Sequence, residues 1–576
     1  MDDSGGKNMP LKPMFSRAPL TMQPLAPLAP EAIALEGSAR ETLEKLCALA
    51  LQAPMGPALA EGALACAYLC ENAPLAEKVE QWLRVQLNAQ GADGSLPLPA
   101  AEGIRVMLAV ARLFAHQGEK TLLEPMMRYC ACLRERWEEL RLDGSVMGQA
   151  ANLMELLLFL YNVTGKKALL HLMELTRRDA MDWSGLMSTF ALSRPTAKLM
   201  PLEEMTAGRK AEGNDPSGFY TRQYLATFGP ALAQGIRLPV LMGLYSGSAR
   251  DLDAGYTGYE KIMRYHGTAT GAFTADLHLA GGSPSAAVSG WAAGETARSL
   301  ARVWQVTEKP GAAEALACLM ENALPAFLPE GKLLPFLRVN SLSVNAGVKD
   351  CYAPGEAEET AKETLAALLQ GTAVGMRSAV TATTTGAAVG LYVPGHYTLR
   401  LGREKAKLTL ATSGERVTLT LSMKNPAEAE LKLRIPSWTV EPMVQVNDEG
   451  GDAPETGKMF TLRRTFRDGD VITLLLPRKA RLTEGYHQSL CVMRGDTLLA
   501  MPVQGENWRR ALCDVRDTER GTEAVLLETS QWKTRVHVPA DPPIAHRTEG
   551  KEERIILQPF AETACRIAAF PKGKQA

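Results

Sequence analysis

The feature that most constrains this chain is a change of hydrophobic period near residue 390. Before it, apolar residues recur every three to four positions, the spacing that puts them on one face of a helix. Segments 41–51, 74–87, 103–115, 122–140, 148–163 and 168–183 read this way, and so do 228–245, 255–265, 286–304, 312–324 and 358–376. Gly, Asp and Pro signals separate several of them, as at Ala92-Asp93-Gly94 and Thr164-Gly165. Pro74 would sit in the first turn of its helix, where proline is tolerated. After residue 390 the period drops to two: Val417, Leu419, Leu421 and Met423 alternate with Thr418, Thr420 and Ser422. Residues 431–435, 459–466 and 471–476 follow suit, with turns at Ser413-Gly414, Asn425-Pro426 and Asp468-Gly469-Asp470. A second strand-rich stretch runs over about 488–570, with 524–527, 534–538 and 554–557 as candidate strands.

Roughly a dozen successive helices close into a toroid or stack as a solenoid, and short alternating strands make sandwiches. The expected fold is therefore multidomain: an all-alpha (alpha/alpha)6-type toroid over 36–385, a beta-sandwich over 386–485 and a C-terminal beta-rich module over 486–576. Residues 1–35 hold six prolines (10, 13, 19, 24, 27 and 30), so they form a loosely structured lead-in that can add a strand to a sandwich. The 576-residue length also demands more than one core.

A formal net charge of −1 gives no footing for a nucleic-acid or anionic-membrane partner. No basic and apolar leader and no run of 18 apolar residues is present, so neither a signal peptide nor a membrane span is expected. The ten cysteines lack paired C-x-x-C spacing and read as buried thiols in a reducing cytoplasm.

Four blocks carry a family resemblance. The first runs from Gly148-Gln149-Ala150-Ala151-Asn152 to Thr164-Gly165. The second is Met263-Arg264-Tyr265-His266-Gly267 followed by Gly271 to Gly281. The third is Leu433-Arg434-Ile435-Pro436-Ser437-Trp438, with Val446-Asn447 and Asp468-Gly469-Asp470 after it. The fourth is Arg494-Gly495-Asp496-Thr497-Leu498. In order and spacing, over about 40–570, the chain resembles the beta-L-arabinofuranosidase family (glycoside hydrolase family 127). The sandwich blocks are the best preserved. In the fourth, Asp496 stands where the family has proline.

The resemblance implies a cysteine nucleophile held by zinc, with a glutamate and further cysteines completing the metal shell and a second glutamate as general acid/base. Zinc would keep the sulfur as thiolate, and the acid would protonate the leaving oxygen. This chain departs from that pattern. The acid/base position is Leu277, inside Ala275-Asp276-Leu277-His278-Leu279. Two zinc-ligand positions fall on Ser289-Gly290-Trp291, and the paired cysteines become Glu358-Glu359. A substrate-binding histidine aligns with Phe228. Cys351 is the one thiol nearby, and one cysteine makes a poor zinc site. No zinc and no other cofactor is expected.

The candidate catalytic residues are Glu358, Glu359, Asp276 and His278; Trp291, Ser289 and Phe228 are candidates for holding a sugar. Each has a plainer reading. Glu358 and Glu359 open a helix, where carboxylates favour the dipole. His278 could be a hydrogen-bonded core histidine, and Trp291 a core aromatic. Glu295, four residues after Trp291, would by default be a solvated or salt-bridged surface group. Asp276 is one residue from the acid position and would face differently on a strand. Three functions remain open. The first is a glycosidase of altered mechanism acting on a furanoside-type glycan, with Glu358 or Glu359 as nucleophile. The second is a catalytically inactive carbohydrate-binding or scaffold protein. The third is another sugar-modifying enzyme such as a lyase. The partner in each is a carbohydrate; the sequence says nothing of oligomeric state.

Overall fold

The computed structural model describes residues 15–199, 215, 217–341, 356–503, 510–519, 521–528 and 552–571. Its first part is a double ring of helices. The inner ring is Pro57–Leu69, Ala100–Gln117, Ala150–Thr164, Gly229–Ser246, Gly290–Thr307 and Glu356–Met376. Each packs on the next, and the last packs back on the first, which closes the toroid. The outer helices are Gly37–Gln52, Ala73–Asn88, Leu123–Glu135, Lys167–Asp179, Ala249–His266 and Pro310–Ala326. Inner and outer helices alternate along the chain, so each outer helix returns the chain and the inner ones run in the same sense. Their N-termini therefore gather at one mouth.

The two rings differ in sequence for a physical reason. Outer helices face solvent on one side and are amphipathic. Inner helices are enclosed by neighbours, and such helices are apolar all round. Nearly every residue of Pro57–Leu69 is buried, Glu61 and Gly62 included. The three-to-four stripe is absent from this alanine-rich helix, and period counting did not single it out. Elsewhere the punctuation is local. Asn72 accepts from Leu75 N at 3.1 Å to cap Ala73–Asn88, and Gly118, Gly165 and Gly247 end their helices in the left-handed region. The expected 122–140 helix breaks at Arg136, and the expected 168–183 helix ends at Asp179.

The sandwich has a five-stranded sheet, in the order Ala26–Pro27, Val380–Ala382, Gly386–Val389, Ala427–Arg434, Met459–Phe466. The seven-stranded sheet facing it runs Glu449–Asp452, Met443–Val446, Val471–Leu475, Arg416–Met423, Glu404–Ser413, Gly395–Leu401, Ile33–Leu35. Thus the lead-in segment adds a strand to each sheet, pairing Ala26 with Ala382 and Ile33 with Tyr397. The first sandwich strand is Val380–Ala382, ahead of the expected start at 386. It is buried on both faces and so shows no alternation. Two further sheets follow: one built on Ala480–Glu484, Leu490–Arg494 and Thr497–Pro502, the other on Arg510–Thr518, Gly521–Glu528 and Glu552–Ile556. Candidate strand 534–538 lies outside the described residues. No described helix is long and apolar enough to cross a membrane.

The third and fourth blocks meet where the modules join. Arg434 is buried; it donates to Gly390 O at 2.6 Å and pairs with Glu314 at 3.4 Å and Asp496 at 3.6 Å. Trp438 Nε1 donates to Asp496 at 2.8 Å. Outer-ring Glu314 also takes the backbone N–H of Ser437 at 2.8 Å. These residues hold toroid, sandwich and C-terminal module together, so the best-preserved motif is an architectural one.

Candidate functional site

The inner-ring mouth is built around the N-termini of Gly229–Ser246, Gly290–Thr307 and Glu356–Met376, which are neighbours in the ring. A small hairpin, Ala275–Asp276 against His278–Leu279, lies across the first of these. It reverses at Leu277, whose φ of 78° lies in the left-handed region that a leucine rarely adopts. Gly229 N donates to Leu277 O at 2.7 Å, and Phe228 and His278 form a backbone bridge. Gly229 permits this approach: a Cβ there would stand 2.7 Å from Ala275 Cβ.

Four rings gather at this junction. Phe228 stacks on Tyr224 at 5.2 Å, meets Trp291 edge-on at 5.4 Å and lies 5.7 Å from His278. Tyr224 also meets His278 edge-on at 4.9 Å. Phe228, Tyr224 and Trp291 are only half-buried, so apolar ring surface faces the mouth. Sugar rings pack their C–H faces on surfaces of this kind. His278 is buried, with Nδ1 3.0 Å from Thr227 Oγ1. The same hydroxyl lies 3.4 Å from Gln223 O and 3.2 Å from Tyr224 O, so it ties the histidine to the helix before Phe228. Tyr224 and Thr227 escaped the sequence reading, although Tyr224 lies one helical turn before Phe228.

Asp276 is open to solvent yet ringed closely by protein. That crowding pushes its carboxyl up to about 6, while Arg338 pulls the other way. It is thus a carboxyl that can hold a proton near neutral pH and still reach a ligand. Ser289 is buried, and its hydroxyl accepts from Ala292 N at 3.3 Å, capping Gly290–Thr307. It positions Trp291 rather than facing the mouth. Glu358 and Glu359 fall in the first turn of Glu356–Met376, and their side chains lie outside the described residues, as does Cys351. The neighbouring helix comes close just below them: a Cβ on Gly290 would lie 2.6 Å from Thr364 Cγ2.

Glu295 is not a surface group. It is buried below the mouth and accepts from Arg237 Nη1 at 2.6 Å. The pair belongs to a network on the ring axis to which every inner helix contributes. Arg298 reaches Glu61 at 3.0 Å, Gln370 at 2.6 Å and Glu155, and Arg237 reaches Asn152 at 2.6 Å. Arg112 meets Glu61 at 3.1 Å, and Arg302 meets Glu155 at 3.5 Å. The network fills the axis, so a ligand entering the mouth meets a polar floor.

The zinc that the resemblance implies does not fit the described donors. Ser289 is engaged as a cap, Trp291 offers no ligand atom, and no cluster of three metal-binding side chains occurs among the described residues.

Residues 386–478 match the family described as "Beta-L-arabinofuranosidase, GH127 middle domain". No curated protein sequence matches the chain. Among solved structures, a protein described as "Glycoside hydrolase" superposes with a TM-score of 0.74 at 15% identity, over 98% of this chain and 100% of its own. A GH127 beta-L-arabinofuranosidase from Geobacillus stearothermophilus T6 gives 0.62 at 14% identity, over 92% and 93%. A second GH127 beta-arabinofuranosidase gives 0.66 at 11% identity, over 96% and 98%. At these identities the likeness over the whole chain is one of fold. The chain is thus a GH127-like protein, by sequence in its sandwich domain and by fold along nearly its whole length.

Proposed function

We propose that the protein acts on the glycosidic bond of a furanoside-type glycan, with Asp276 as the proton donor that Leu277 cannot be. The observation that carries this reading is the carboxyl of Asp276, solvent-reachable, raised to about 6 and set beside an open aromatic cluster. A carboxyl so poised is protonated often enough to give its proton to a leaving oxygen, and its anion then takes one from water. Phe228, Tyr224 and Trp291 supply the apolar platform, and Ser289 fixes Trp291 through the helix cap. Glu358 or Glu359, on the neighbouring inner helix, is the second carboxyl. A separation of about 5–5.5 Å from Asp276 makes it a nucleophile in a retaining route; about 6.5–9.5 Å leaves room for water and an inverting one.

The test is hydrolysis of aryl furanosides and pyranosides by the unmodified protein and by Asp276→Asn, Glu358→Gln and Glu359→Gln. Turnover of one sugar that Asp276→Asn abolishes supports the reading. Turnover untouched by Asp276→Asn sinks it. A second reading, glycan binding without turnover, draws on Leu277 and Phe228, apolar residues where the resemblance implies an acid and a polar contact. It predicts saturable glycan binding with no product, and loss of that binding in Trp291→Ala.

A further inference from the structure

The C-terminal module docks on the toroid through the segment after Phe336–Leu337, the strand that pairs with Val288–Ser289. Ser341 and Arg566 exchange both backbone hydrogen bonds, at 2.9 and 2.7 Å. Asn340 holds the N–H groups of Ala568 and Ala569, each at 2.9 Å. In this seam lies a cavity of about 20 Å³, lined by Arg338, Ser341, Arg566, Ala561 and Ala564 among others. That is room for about one water-sized occupant.

Arg566 is an unusual wall for such a space. It is 4% exposed. Phe560 covers its guanidinium face at 3.8 Å. Its Nη1 donates to Thr563 O at 2.7 Å and its Nη2 to Arg338 O at 3.1 Å. These acceptors are neutral carbonyls, and no carboxylate among the described residues pairs with it. Its Nε–H is buried and has no acceptor among the described residues, and the same is true of Arg338 Nε–H. Burial pushes Arg566 down to about 10, so it stays charged at neutral pH. Two buried donors and an uncompensated cation around one small space ask for a negative occupant. Water would satisfy the hydrogen bonds and leave the charge.

We propose that the cavity between Arg338 and Arg566 binds one small inorganic anion of chloride size, which clips the C-terminal module to the toroid. The anion would accept from both Nε–H groups and neutralise Arg566 at a seam where the two modules share a backbone bridge. Its size excludes a sugar, so the inference does not rest on the reading above, although Arg338 also acts on Asp276.

The test follows the melting temperature of the full chain in sodium chloride and in sodium methanesulfonate at matched ionic strength. Chloride should raise it in a saturable way and the bulkier anion should not. Arg566→Met should remove the chloride-specific rise. Should that variant not fold, Arg338→Gln, which removes one donor, should weaken the chloride response severalfold. Crystals grown in bromide should show an anomalous peak between the two guanidinium groups. Equal responses to both salts, or a chloride response unchanged in Arg338→Gln, or no bromide peak in the cavity, would overturn the proposal.

Discussion

Arg237 and Glu295 face one another at 2.6 Å on the axis of the helical ring, both fully enclosed. Glu155, from a third inner helix, stands 3.5 Å from the same arginine and also contacts Arg298 and Arg302. Ions buried this way gain little over an apolar core while intact, but removing one partner leaves a charge stranded. Glu155→Ala is therefore expected to cost about 3–5 kcal/mol, read as a lowered urea midpoint with unchanged slope. A loss under 1 kcal/mol would show that water replaces the carboxylate at no cost.

The same carboxylate sets an acid limit. Burial pushes Glu155 up, but Arg298, Arg237 and Arg302 together outweigh burial and hold it well below its ordinary value of 4.5. A depressed carboxyl gives stability that is whole above its unfolded value and is lost as pH falls through the folded one. Unfolding free energy should thus fall steadily below about pH 4.5, and Glu155→Gln should flatten that fall. A variant with the same acid slope as the parent would exclude Glu155 as its source.

His266 adds a limb at higher pH. It is fully buried, its Nε2–H donating to Leu192 O at 2.6 Å and its Nδ1 accepting from Gly281 N at 3.1 Å. Burial lowers it from 6.5 and outweighs the backbone bond. The folded state therefore binds fewer protons than the unfolded chain, and stability is lost as pH falls from about 6.5 through the folded value. His266→Phe should remove this dependence and cost about 1–3 kcal/mol for the unpaired backbone groups. Denaturation curves of the two proteins at pH 7.5 and 5 decide it.

At the mouth, Asp276→Asn keeps shape and deletes a titratable proton. If the protein hydrolyses a glycan, kcat should drop by about 10²–10⁴, and the acidic-to-neutral fall of the pH–rate profile near 6 should vanish. Leu277→Glu should restore little, because groups that act as a unit are not additive. A gain in turnover by Leu277→Glu beyond tenfold would contradict Asp276 as the acid.

Gly229→Ala probes the seat of the hairpin. Its Cβ would lie 2.7 Å from Ala275 Cβ and 3.3 Å from Leu277 O. Overpacking of this kind costs about 1–3 kcal/mol. The hairpin should move and glycan binding or turnover should weaken, checked by titration calorimetry or the same aryl glycosides. Full affinity in the variant would mean that the hairpin does not form the ligand's wall.

The sequence by itself determined the element types and their order, because period and turn chemistry act locally. The alternation at 417–423 became Arg416–Met423, and Gly165 ends a helix where the Thr164-Gly165 signal stands. The motif around Arg434 and Trp438 marked the sandwich that the family match covers. Local pattern could not reveal Pro57–Leu69 as an inner helix, since enclosure on all sides erases periodicity. Nor could it assign Glu295: a carboxylate four residues after Trp291 is on the surface or the axis according to what the ring packs against it. Asp276 is the sharpest case. Its residue type was visible, but the raised carboxyl comes from burial by the atoms packed around the hairpin, against the opposing pull of Arg338, 62 residues later in the chain. Desolvation and charge proximity are properties of packed space, so only the tertiary structure decided that the Asp276 carboxyl is raised.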